Sequence, residues 1–86
     1  MKILIEELSD EEFKVTVNAK KSTNHNVTLT DDTYKNLTNQ KVSKEQLIEF
    51  SFKFLLEREP NTSILSSFEL SAISTYFPQF IKIVKE

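Results

Sequence analysis

The stretch SKEQLIEFSFKFLLEREP, residues 43–60, constrains the fold more than any other. Ser43 with Gln46 three residues later has the form of a capping box, so a helix starts after Ser43. Pro60 disfavours helical geometry at the residue before it, which ends the helix at about Arg58. Leu47, Phe50, Ser51, Phe54 and Leu55 form one stripe, and Ile48, Phe52, Leu55 and Leu56 form an adjoining one. Together they cover well over half the circumference. A helix apolar on one side lies on a core, whereas one apolar nearly all round is buried on two sides. This helix is therefore sandwiched between a sheet and the C-terminal segment, or it packs on a second copy of the chain.

The preceding residues supply the sheet. Phe13, Val15, Val17 and Ala19 alternate with Lys14, Thr16, Asn18 and Lys20, the period of a half-buried strand. KSTN reads as a turn, after which His25, Val27 and Leu29 share one face of a second strand. KILIEEL, at the start, is strand-like but ambiguous, and SDEE has the form of a helical turn with Ser9 and Glu12 as a capping box. Thr30 or Asp31 caps a short helix on which Tyr34 and Leu37 share a face, and Asp31 and Asp32 suit its N-terminal dipole. After Pro60 the pattern is again helical. Ser63 or Ser66 serves as a cap, with Glu69 as the box partner of Ser66. Leu70, Ile73 and Phe77 lie on one face, and Phe80, Ile81 and Val84 on another. The expected fold is α+β over a single domain, residues 1–86. A small antiparallel sheet of two or three strands is followed by a short helix, a long central apolar helix and short C-terminal helices.

Composition excludes much chemistry. The chain has no Cys, which removes disulfides, thiolate nucleophiles and Cys-ligated zinc. It has no Gly, which removes the phosphate-binding loop, the dinucleotide fingerprint and the nucleophile elbow. Turns needing positive φ then fall to Asn as the next best residue. His25 is the only His. It reads as a partly buried side chain hydrogen-bonded to backbone, with a general base or pH-sensitive switch as the sharper alternative. Scattered carboxylates around one His make a poor metal site. The acids Glu6, Glu7, Asp10, Glu11 and Glu12 read as a solvated face. No catalytic, cofactor-binding or metal-ligating residue is assigned, and no enzyme is expected. MKILIEEL is too short in its apolar run for a signal peptide, and no stretch approaches a membrane span, so a cytoplasmic protein without membrane contact is expected.

Two resemblances add to this reading. The run FSFKFLLEREPNTSILSSFELSAISTYFPQF, residues 50–80, resembles the C-terminal signature of a family of small uncharacterised bacterial proteins, through FLLERE, SIL, Phe-x-Leu and YFP. That resemblance implies membership and no activity. Residues 25–59, with VTLTDDTYKNL and VSKEQLIEFSFKFLLERE, resemble more weakly the ribbon-helix-helix DNA-binding family. That resemblance implies an obligate dimer whose paired strands enter the major groove. It departs from the family in lacking a glycine between the helices, in a first helix about a turn short, and in a strand preceding the candidate ribbon.

Charge bears on both. Residues 1–12 carry one Lys against five acids, residues 13–44 six Lys against two, and residues 45–86 come to −2. The middle third is the segment suited to an anionic partner. On a DNA-binding reading, Lys20, Lys21, Asn26 and Thr28 are the contacts, with Asn able to read adenine. Asn24 and Thr30 would point outward beside them, and Lys35, Lys41 and Lys44 would add phosphate contacts. On a self-association reading, Phe50, Phe52 and Phe54 are the contacts. The function expected first is a noncatalytic protein-interaction or regulatory module with a protein partner or self-association. A dimeric ribbon-helix-helix-like DNA-binding regulator is the alternative.

Overall fold

The computed structural model describes residues 2–38, 40 and 42–85. Its sheet contains β1 (Lys2–Glu7), β2 (Glu12–Asn18), β3 (Ser22–Thr28) and β4 (Ser67–Glu69), in that spatial order. The helices are α1 (Asp31–Leu37), α2 (Lys44–Leu56), α3 (Ala72–Tyr76) and α4 (Gln79–Lys85), with a 3₁₀ turn at Asn61–Ser63. The α+β class is as expected, with three corrections. The sheet has four strands rather than two or three. It is mixed, because β4 runs parallel to β3, whereas β1, β2 and β3 form an antiparallel meander. There is no long central helix: α2 has 13 residues, or about 20 Å.

β2 and β3 form because their alternation matches the pleat. Phe13, Val15, Val17, His25 and Val27 are buried, whereas Lys14, Asn24 and Asn26 are exposed on the opposite face. Ala19 falls outside β2 and is exposed. β1 is a regular strand, with Ile3 and Ile5 half-buried. SDEE is a hairpin tip instead of a helical turn. The N–H groups of Leu8 and Ser9 both donate to the Glu12 carbonyl, at 2.8 and 3.1 Å.

α2 keeps its expected start. Ser43 Oγ accepts from Gln46 N, and Gln46 Oε1 accepts from Ser43 N. It ends two residues before Arg58, whose N–H turns back to the Leu55 carbonyl. Its placement follows the sandwich alternative. Phe52 faces the sheet, 5.4 Å from the His25 ring and 6.1 Å from Phe68. Phe54 faces the C-terminal segment, 5.8 Å from Phe77 and 5.1 Å from Phe80. The core joins Phe13, Val15, Val17 and Val27 to Phe52, Leu70, Ile73 and Phe80.

The Ser66–Glu69 capping box does not form. Ser67–Glu69 is β4, held by Asn26 N donating to the Ser66 carbonyl and Leu70 N donating to the Thr28 carbonyl. The Glu69 carboxylate instead accepts from Thr33 Oγ1 at 2.7 Å and from Ser71 N at 2.6 Å, tying β4 to α1 and α3. Among the described residues, the one positive φ falls on Gln40 (61°), where Asn was expected. A residue with a Cβ pays roughly 1–2 kcal/mol there.

Candidate functional site

Where α2 stops, the chain builds a cleft. Beyond α2, Pro60 opens the 3₁₀ turn with extended geometry (ψ 157°). The chain then runs through Ile64 and Leu65 into β4, and α3 returns across the end of α2. Leu55, Ile64, Leu65, Phe68, Ile73 and Tyr76 enclose a surface cleft of about 360 Å³, with Glu59 and Ser63 as polar lining. A volume of this order lies in the range of natural ligand sites, roughly 300–1,000 Å³. Ile64 and Ile73 are buried, but Leu65 is 50% exposed and Tyr76 is 68% exposed.

One wall of the cleft is held by a buried polar chain. His25, 2% exposed, sits with Nδ1 2.7 Å from the Leu65 carbonyl. A carbonyl can only accept, so Nδ1 carries the proton. His25 Nε2 therefore accepts, and the Thr23 hydroxyl, 2.8 Å away, donates to it. Asn61, also buried, donates through Nδ2 to Thr23 Oγ1 at 2.9 Å and to the Lys21 carbonyl at 2.8 Å. Strand β3 is thus bolted to the 3₁₀ turn and to the Leu65 loop. His25 does hydrogen-bond backbone, but it is fully rather than partly buried. It is not among the residues lining the cleft, and its ring nitrogens face a hydroxyl and a carbonyl. This is a positioning arrangement, without the carboxylate partner that a general base would use.

A second polar cluster ties the N-terminal hairpin to the helices. Lys44 Nζ donates to the Asp10 carbonyl at 2.7 Å and to Asp31 Oδ1 at 2.5 Å, and lies over the Tyr34 ring. This hydrogen bond, followed by the Lys44 charge and then that of Lys35, holds the Asp31 carboxyl below its ordinary value of 3.8. Desolvation, which outweighs the effect of Lys35, opposes the shift. Glu11 Oε2 accepts from Asp31 N at 3.1 Å. Among the described residues no group of three or more His, Asp or Glu converges to hold a metal ion. No described helix is long and apolar enough to cross a membrane.

The residues singled out from sequence are not brought together. Lys20 and Lys21 are exposed between β2 and β3, and Asn26 is exposed on the uncovered sheet face. Thr28 is half-buried, and Thr30 caps α1 through its side chain. Asn24 Oδ1 accepts from Thr16 Oγ1. Lys44 is engaged as described, and Lys41 lies outside the described residues. β3 is paired on both edges, with β2 along its whole length and with β4 at Asn26–Thr28. Of the three phenylalanines, Phe52 and Phe54 are buried in the core of the single chain, and Phe50 is 41% exposed. Arg58 stacks on Phe54, 3.7 Å from the ring centroid, and donates to its carbonyl.

The cleft was not anticipated from the sequence. Its residues come from four separate elements, and only the mixed apolar and helical pattern of residues 55–77 hinted that they would meet. Comparison of the chain with protein-family models, with curated proteins and with solved structures finds no match.

Proposed function

We propose that this protein is a noncatalytic protein-interaction module, acting in the cytoplasm, whose cleft receives an apolar side chain of a partner protein. Tyr76 carries the reading: it is two-thirds exposed at the lip of an apolar cleft, opposite a half-exposed Leu65. Tyrosine gives a large contact area at low entropic cost and is enriched at protein interfaces. Glu59 lines the cleft and Glu57 precedes it in the chain, so the favoured segment carries Lys or Arg beside its apolar anchor. Selection from a random peptide library tests this. Selected peptides should pair an apolar residue with a basic one and perturb the amide signals of residues 59–77. Tyr76→Ala should weaken them about tenfold or more, as loss of an interface anchor does. Peptides without that pattern, or binding indifferent to Tyr76→Ala, would overturn the reading.

The DNA-binding alternative draws on exposed Lys20, Lys21 and Asn26. It has less support, because a ribbon formed by β3 and its twin would first have to displace β2 or β4. Its signature would be duplex binding that falls steeply with salt.

A further inference from the structure

We infer that β1 is a self-pairing edge, through which two copies of this chain join their sheets into one of eight strands. This does not depend on the cleft. β1 is the outer strand of the sheet, and no described residue pairs with its far side. It matches β2 one to one over six residues, with no bulge and no proline. Of the devices that ordinarily blunt natural edges it carries only charged side chains, Lys2, Glu6 and Glu7.

The backbone direction follows from the hairpin. Leu8 N donates to the Glu12 carbonyl, so the pair Leu8–Glu12 is hydrogen-bonded. Bonding alternates along an antiparallel ladder. Lys2, Leu4 and Glu6 therefore spend their backbone groups on β2, and Ile3, Ile5 and Glu7 aim theirs at the open edge. The side chains alternate too: Ile3 and Ile5 lie on the helix side, and Leu4, 46% exposed, lies on the uncovered face with Lys2 and Glu6.

A twofold axis through Leu4 gives a self-complementary register. Ile3 then faces Ile5 of the second copy, and Ile5 faces its Ile3. These two pairs exchange about four backbone hydrogen bonds. Leu4 meets its twin at the non-bonded position, where side chains approach closest. Lys2 stands opposite Glu6 of the second copy on both sides of the axis, so the charges match twice. Neighbouring registers do worse. Moving the axis to Ile5 sets Leu4 against Glu6 and Ile3 against Glu7, and moving it to Ile3 sets Lys2 against Leu4 and takes Glu6 out of reach of Lys2. Registers that oppose odd and even positions match an edge-facing backbone to one turned inward. The choice of a second copy as occupant thus rests on the Lys2, Leu4, Glu6 order, which complements itself under a twofold.

A strand edge of this length gives an interface at the small end of the specific range, so the dimer exchanges with monomer. Sedimentation equilibrium of the full chain tests it. The mass should rise from 10.0 kDa toward twice that value with concentration. Lys2→Glu and Glu6→Lys, both on exposed positions, should each weaken the dimer about tenfold or more by opposing like charges. The double swap should restore it. Mixing the two single variants should yield a heterodimer tighter than either homodimer. A mass that stays monomeric into the millimolar range would overturn the proposal. So would a dimer insensitive to the single swaps, or one lost on Phe50→Ala and therefore seated on α2. Tyr76→Ala leaves the mass behaviour unchanged, so failure here and failure of the cleft are separately visible.

Discussion

His25, Thr23 and Asn61 show what a residue can do at a distance in sequence. Each nitrogen of the imidazole has one partner, and the Thr23 hydroxyl both accepts from Asn61 and donates to His25. Thr23→Val keeps the shape and removes both bonds, leaving His25 Nε2 buried without a donor. An orphaned buried acceptor costs about 1–3 kcal/mol, so the urea midpoint should fall accordingly and the Asn26 amide, which donates to the Ser66 carbonyl, should exchange faster. The burial of His25 was readable from its alternation with Val27 and Leu29. The rest of the polar chain was not, because Leu65 lies 40 residues from His25, which bonds it, and Asn61 lies 38 residues from Thr23. The Lys44–Asp31 pair makes a second prediction at this scale. Asp31 has a lowered value when folded, so its contribution is present above the unfolded value and is lost as pH falls below 3.8 through the folded value. Wild type should be more stable than Asp31→Asn at neutral pH, and the gap in urea midpoint should close in that acidic window. A gap that persists unchanged at the lowest pH would mean that the pair does not act through charge.

Among the elements, α2 was legible at its start because both of its signals are local. Ser43 and Gln46 satisfy each other's backbone donors within four residues. Ser43→Ala should therefore cost about 1 kcal/mol, and Ser43→Asp should cost nearly nothing, read from thermal unfolding midpoints. β4 was illegible for the opposite reason. Three residues carry no measurable period, and Ser66 with Glu69 reads as a capping box for the helical pattern of Leu70, Ile73 and Phe77 that follows. What makes Ser67–Glu69 a strand is the outer edge of β3, with open N–H and C=O groups at Asn26 and Thr28. A tertiary partner thus overrode the local preference. The same override delays α3 to Ala72, and Phe68 of the strand lines the cleft beside Ile73 and Tyr76 of that helix. Glu69 then anchors the short strand from both sides. Glu69→Ala should loosen β4 and α1 together, seen as faster amide exchange at Asn26, Leu70 and Thr33 in one cooperative step.

At the level of the whole molecule, the sheet is covered on one face, with α2 wedged between that face and the C-terminal helices. The exposed area of 5446 Å² is close to the roughly 5,200 Å² expected of a monomer of this mass. The core is closed without a second chain, and the apolar excess of α2 that suggested a partner is absorbed by Phe77 and Phe80. Sequence periodicity could show that α2 needs cover on two sides. It could not say whether the cover comes from the same chain, because that depends on where residues 70–84 return in space. The two phenylalanines at 50 and 52 separate these cases. Phe52 is fully buried against the sheet, beside His25 and Phe68, and Phe52→Ala leaves a cavity costing about 3–5 kcal/mol. A domain of this size holds only roughly 5–10 kcal/mol in all, so that variant should be largely unfolded at moderate urea. Phe50 touches Phe80 from a half-open position, 6.4 Å between ring centroids, and Phe50→Ala should cost about 1 kcal/mol or less. Urea unfolding of the two variants at several protein concentrations provides the check. If Phe50→Ala proves as damaging as Phe52→Ala, and only at high concentration, then α2 is buried by a second copy and the one-chain sandwich is wrong.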